Sequence, residues 1–122
     1  MAEAATPWPS EIRLVRDRSA LRLSFADATG AELSAEYLRV KSPSAEVRGH
    51  GAGDEVTVAG KRDVKISSLE EVGNYALRII FDDGHSTGIY SWSYLARLAR
   101  EHATIWAGYL AALEREGLSR ER

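Results

Sequence analysis

The sequence contains no cysteine. That absence removes disulfides, thiolate metal ligation, thiol nucleophiles and cysteine-held iron–sulfur clusters. An excess of charge of one sign is missing too: 16 Lys and Arg stand against 18 Asp and Glu, a net charge of −2. A broad basic surface for phosphate backbones is therefore excluded. Arg13, Arg22, Lys61, Arg62 and Lys65 read as a solvated strand face rather than a nucleic-acid site. No apolar run approaches the roughly 18 residues of a membrane span. The opening MAEAATPWPS has neither the basic nor the apolar region of a secretory signal. The expectation is a soluble cytoplasmic protein that engages neither nucleic acid nor membrane.

What is present suits one ordinary globular domain. The chain has 122 residues, 44% of them hydrophobic and 28% charged, a balance that supports one core. Folding at this length hides roughly two-thirds of the surface of the unfolded chain. No internal repeat of solenoid type is found. Residues 1–10 read as a flexible N-terminal arm, with Trp8 between two prolines folding back on the domain edge. Residues 11–117 read as the domain and 118–122 as a tail.

The first part of the domain has period two. In EIRLVR and LRLSF, Ile12, Leu14, Leu21, Leu23 and Phe25 alternate with polar residues, as half-buried antiparallel strands require. DRSA and DATG are the turns, with Gly30 available for positive φ. AELSA returns as a third strand, so a three-stranded meander is predicted over 11–35. A short helical turn follows near 36–41, stopped by Pro43, and then an extended SAEV. RGHGAGDEVTVAGK reads as a surface loop with weak strand character at 56–58.

Residues 64–92 predict a second meander. Tyr75, Leu77, Ile79 and Phe81 share one face, and Gly73-Asn74 marks a turn. Asp-Gly between the alternating runs NYALRIIF and STGIYSW is a strong hairpin signal. From Ser91 the period becomes 3.6. Leu95, Leu98, Ala99, His102, Ile105, Trp106, Tyr109, Leu110 and Leu113 form one stripe. Ser91 or Ser93 offers the N-cap and Gly117 the stop. One helix over 93–115 would be about 34 Å long, more than a small sheet covers. The fold class predicted is α+β: β-rich antiparallel meanders, a short helical turn and a long C-terminal helix packed on the sheet.

Chemistry concentrates in FDDGHSTGIYSW. Asp82, Asp83 and Gly84 suit a hairpin turn, with His85 opening the next strand. The alternative makes Asp82 or Asp83 with His85 ligands or an acid–base pair; His50, reaching in from its glycine-rich loop, would join His85 and Asp83 to hold zinc, nickel or iron. Adjacent strand residues point to opposite faces, which favours the turn. His102 on the apolar stripe reads as a core histidine. GHGAGDE lacks the Gly-Lys-Ser/Thr ending and following helix of a phosphate loop, and no serine stands in a nucleophile elbow. No catalytic residue is assigned. Trp106, Tyr109, Leu110 and Leu113, on the overhanging part of the helix, are the candidates for contact with a partner.

PSEIRL, SAEYLRVKSPSAEVRGHG and VGNYALRIIFDDGHSTGIYSWSYLARL together resemble the gamma-butyrobetaine hydroxylase-like N-terminal domain family, a domain of unknown function, over about residues 9–100. The resemblance implies a small β-rich α+β domain. Such domains stand alone in bacteria or are fused to other modules, among them an oxygenase domain and iron–sulfur carrier P-loop proteins. In the oxygenases the domain is similar to a structural zinc module, with an LR-x-x-C-P-C-x-x-C stretch and a histidine in a DGH-like segment. On that alignment Ser42, Ser44 and Val47 take the cysteine positions and only His85 matches a ligand. Serine is a poor zinc donor beside thiolate and valine is none, so packing has to hold the domain together. The reading that follows is a non-enzymatic binding or assembly module. It needs no cofactor and binds a protein partner or itself through the C-terminal helix. The alternative is a zinc- or iron-binding or iron–sulfur accessory protein using His85.

Overall fold

The computed structural model describes residues 9–25, 29–48 and 55–121. Of the arm expected over 1–10, residues 1–8 with Trp8 lie outside these residues, as do residues 26–28 of the second turn and His50; Pro9 and Ser10 belong to the first strand rather than to an arm. Strands β1 (Pro9–Val15), β2 (Ala20–Phe25) and β3 (Gly30–Ser34) form an antiparallel sheet in the order β1-β2-β3. Leu21 pairs with Leu14 on one side and Leu33 on the other, and Leu23 pairs with Ile12 and Ala31. The alternation in β2 therefore puts Leu21, Leu23 and Phe25 into the core while Arg22 faces out. Gly30 does not have the positive φ expected of it; it opens β3, where an added Cβ would lie 3.3 Å from the Leu23 carbonyl oxygen.

Helix α1 (Ala35–Val40) follows directly, with Ser34 as N-cap accepting from the Tyr37 amide at 3.0 Å. SAEV is not extended as predicted: Ala45–Arg48 form a one-turn helix, α2. Ser44 is the cause. Its hydroxyl accepts from the Glu46 amide at 3.2 Å and its carbonyl from the Val47 amide at 3.0 Å, so the serine starts a turn after Pro43. Residues 56–58 form no strand.

The second sheet has β4 (Ile66–Val72), β5 (Ala76–Phe81) and β6 (Ile89–Ser91) in that order, all antiparallel. Leu77, Ile79 and Phe81 are buried as predicted, but Tyr75 lies in the Gly73 turn, 57% exposed. The tip of the first hairpin ties the sheets together. The Arg18 carbonyl accepts from the Ile66 amide at 2.9 Å, the Arg18 guanidinium donates to the Ser67 carbonyl at 2.6 Å, and Lys65 pairs with Asp17 at 2.8 Å. Arg16, Asp17 and Arg18 hold φ of 53°, 57° and 71° in that tip, left-handed geometry that L-residues adopt at a cost and that these cross-sheet bonds offset.

Helices α3 (Trp92–Arg100) and α4 (His102–Glu116) replace the single helix predicted over 93–115. Ser91 caps α3, accepting from the Tyr94 amide at 3.1 Å. The chain breaks helical geometry at Glu101, φ −105° and ψ 22°. Tyr37 is the physical reason: its hydroxyl donates to the Leu98 carbonyl at 2.7 Å, the acceptor a continuous helix would offer residue 102. α4 packs against the domain instead of overhanging it. Tyr109 and Leu113 pack with Val40 and against Val58, Ala59 and Trp106. Gly117 then closes α4 in left-handed geometry, with the Leu118 amide donating to the Leu113 carbonyl at 2.8 Å. His102 is exposed rather than in the core, its ring edge-on to Tyr37 at 4.5 Å.

One principal core unites both sheets with α1 and α3; Leu21, Leu33, Tyr37, Ile66, Ile79, Tyr90 and Leu95 are at its centre. Tyrosine hydroxyls satisfy main-chain carbonyls around it: Tyr90 to Leu38 at 2.5 Å, Tyr94 to Lys41 at 2.6 Å and Tyr109 to Val58 at 2.6 Å. Each places a large apolar ring inside without stranding a polar atom.

Candidate functional site

The turn at residues 82–84 positions the polar cluster that the sequence singles out. The Gly84 amide donates to the Phe81 carbonyl at 3.1 Å and the Phe81 amide to His85 at 3.0 Å. Gly84 supplies the φ of 94° that closes the loop. Asp83 folds back to accept from the His85 amide at 3.0 Å, and its other oxygen takes Arg39 at 2.8 Å and Lys61 at 2.7 Å. Burial works against ionisation of Asp83, but the bonds from Lys61, the His85 amide and Arg39 prevail and hold its carboxyl at about 2.

His85 points inward, its side chain 4% exposed. Nδ1 lies 3.1 Å from the Glu46 carboxylate and Nε2 2.9 Å from the Ser42 hydroxyl. Those partners assign the tautomer: Nδ1–H donates to Glu46, and Nε2 accepts from Ser42. Burial, with the Arg39 charge, lowers the histidine's pKa, against the opposing pull of Glu46 and Asp83. Ser42 also accepts from the Ser44 amide at 3.2 Å, while Ser44 shares a 2.7 Å bond with Thr87. Elements far apart in sequence, the α1–α2 connection and the 82–88 segment, thus meet as a polar cluster.

The order Glu46–His85–Ser42 matches the connectivity of an acid–histidine–serine nucleophile, which the sequence offered no motif to find. Ser42 is fully buried, however, and a Cβ added to Gly88 would collide with its hydroxyl. The backbone at Gly88 occupies the space where a reacting carbonyl would have to approach. The zinc implied by the family resemblance does not fit these residues either. Ser42 and Ser44 are hydroxyls engaged in hydrogen bonds, Val47 is a buried aliphatic side chain, and both His85 ring nitrogens are paired. Asp83 is likewise committed to Arg39 and Lys61. Among the described residues no three His, Asp or Glu side chains converge to hold a metal ion.

The candidates for partner contact fare differently. Tyr109 and Leu113 are 3% and 5% exposed, Trp106 is half-buried and Leu110 is 39% exposed. The break at Glu101 has turned most of that stripe inward, so the overhanging patch expected there is corrected to a second, smaller core. Beside that core, a groove of about 510 Å³, lined in part by Tyr109 and Ile105, runs between α4 and residues 55–57. Its sequence signal is the run of small residues Thr104, Gly108 and Ala112 at helical spacing. No described helix is long and apolar enough to cross a membrane.

Two small antiparallel sheets around a shared core, with helices at their ends and a closed histidine cluster between α1 and β6, define a compact α+β domain. The chain belongs to the gamma-butyrobetaine hydroxylase-like N-terminal domain family, which it matches over residues 12–96. Two solution NMR structures are similar to it, each at 43% identity with a TM-score of 0.82. Their alignments cover 94% and 98% of this chain and 90% and 89% of theirs. A crystal structure from Acidithiobacillus ferrooxidans, of a protein with unknown function in the DUF971 family, is 36% identical with a TM-score of 0.62, covering 75% of this chain and 91% of that one. The curated proteins contain no match.

Proposed function

We propose that this domain is a non-enzymatic, cytoplasmic protein-binding and assembly module, and that its contact surface is the groove along α4. Gly108 carries the reading. A glycine inside a helix costs about 1 kcal/mol relative to alanine, yet a Cβ placed there meets no described residue within 4 Å. Among the described residues none requires the missing side chain; an occupant of the groove would. Val40, Ile105 and Ala112 give the groove an apolar lining. Its rim carries both signs, Lys41 and Arg115 with Glu55 and Glu116. Lys41 and Glu55 pair with each other at 3.0 Å; a rim of mixed sign can match itself about a two-fold axis, which supports a second copy of this chain as the occupant.

Light scattering across a concentration series tests this. The wild type is expected to approach the mass of a dimer, and Gly108→Arg, which puts a long charged side chain into the groove, to remain a folded monomer by circular dichroism. A wild type that stays monomeric throughout would remove the self-association. The proposal includes no resident metal. Protein purified without chelator or His-tag should carry only substoichiometric zinc and iron, unchanged in His85→Ala; stoichiometric metal lost in that variant would revive the accessory-protein alternative.

A further inference from the structure

A second site lies outside both the His85 cluster and the α4 groove. Glu36, at the start of α1, has a side chain only 6% exposed. A carboxylate so far from water needs a cation, and the core does not provide it. Arg120 does, from the segment after α4, with Nε 2.8 Å from one carboxylate oxygen and the terminal nitrogen 2.7 Å from the other. The same guanidinium lies 5.3 Å from the ring centroid of Trp106. A buried carboxylate in bidentate contact and an aromatic face together make a receptor for arginine rather than lysine.

The occupant is held as an extended peptide is held. The Gly60 amide donates to the Ser119 carbonyl at 2.9 Å and the Arg62 amide to the Arg120 carbonyl at 3.1 Å. Arg62 also pairs with Glu121. Main-chain bonds supply attachment and one side-chain pocket supplies selectivity, as in recognition of an added strand. Glu36 and residues 60–62 lie within the family match over 12–96, while Trp106 and Arg120 both lie beyond it. Leu118, Ser119 and Glu121 are exposed, so Arg120 is the one side chain of residues 118–121 that is drawn into the domain.

We infer that the Glu36–Trp106 pocket is an arginine-recognition site for an extended segment of a partner protein, and that residues 119–121 occupy it in cis as a displaceable stand-in. This goes beyond the α4 groove in site and occupant, and each can fail alone because the groove is read by mass and the pocket by peptide binding.

The test uses the full chain with Arg120→Ala and an acetylated, amidated peptide of residues 118–121. The readout is the Trp106 indole N–H signal in NMR, assigned with Trp106→Phe. The peptide should bind Arg120→Ala about tenfold or more tightly than wild type, whose own arginine competes. A peptide with lysine for arginine should bind about tenfold more weakly, and Glu36→Gln added to Arg120→Ala should abolish binding. A folded Arg120→Ala whose Trp106 signal ignores millimolar peptide would overturn the inference, as would equal binding of the lysine peptide or binding that survives Glu36→Gln. Should Arg120→Ala fail to fold, Arg120→Lys takes its place; if neither folds, Arg120 is purely structural and the inference falls.

Discussion

Tyr90 shows what a single side chain does in this fold. Its ring is fully buried, it pairs with Leu77 across the second sheet, and its hydroxyl reaches the Leu38 carbonyl in α1. Tyr90→Phe keeps the ring and strands that carbonyl without water. A loss of about 1–3 kcal/mol is expected, measured by urea unfolding; a change below a few tenths would mean the carbonyl finds another donor. Asp83 and His85 matter in the same way. They are the residues most suggestive of chemistry, and the folded chain uses them to join the 82–88 segment to α1 and α2.

Among the elements, α4 is the informative one. Its aromatic side is used within the domain, Tyr109 and Leu113 being buried, while a Cβ at Gly108 would meet no described residue within 4 Å. Gly108→Ala should therefore raise stability by about 0.5–1 kcal/mol, through helix propensity alone. Thermal unfolding at low protein concentration, where association does not contribute, checks it. A loss of stability would show that the groove side is not empty in the monomer. The break before α4 has a testable counterpart in Tyr37: it rests on one hydroxyl taking the Leu98 carbonyl.

Across the whole molecule, acid is the condition that should loosen this domain, in two steps. The folded-state pKa of His85 is lowered from 6.5, so below that value the unfolded chain binds more protons. The histidine's contribution is complete above about pH 6.5 and declines as pH falls through the window beneath it. Around the ring stand Arg39, Glu46, Asp83 and the Ser42 hydroxyl, and protonation would break the bond Nε2 accepts from Ser42. Asp83, held at about 2 against 3.8, contributes fully above about pH 4 and loses its share as pH falls toward 2. Allowing for solvent screening that share is about 1–2 kcal/mol. Unfolding free energy measured from pH 8 to 3 should show both declines, with His85→Gln flattening the upper one; an unchanged upper slope in that variant would assign it elsewhere.

Much of this architecture was legible in residue order because its signals are local. The alternation of Leu21, Leu23 and Phe25, the Asp-Gly turn before His85, the Ser91 cap and the Gly117 stop each depend on neighbours a few positions away. Local patterning therefore determined the two meanders and where helix begins and ends. Tertiary contact decided the rest. Tyr37 splits the last helix from 61 residues away in sequence, Ser42 closes on His85 across 43, and Arg120 reaches Glu36 across 84. Periodicity records which side of an element is apolar but carries no distance to a donor on a distant segment. Whether an aromatic stripe faces a partner or its own chain, and whether a histidine binds an ion or a serine, is set when those distant groups meet.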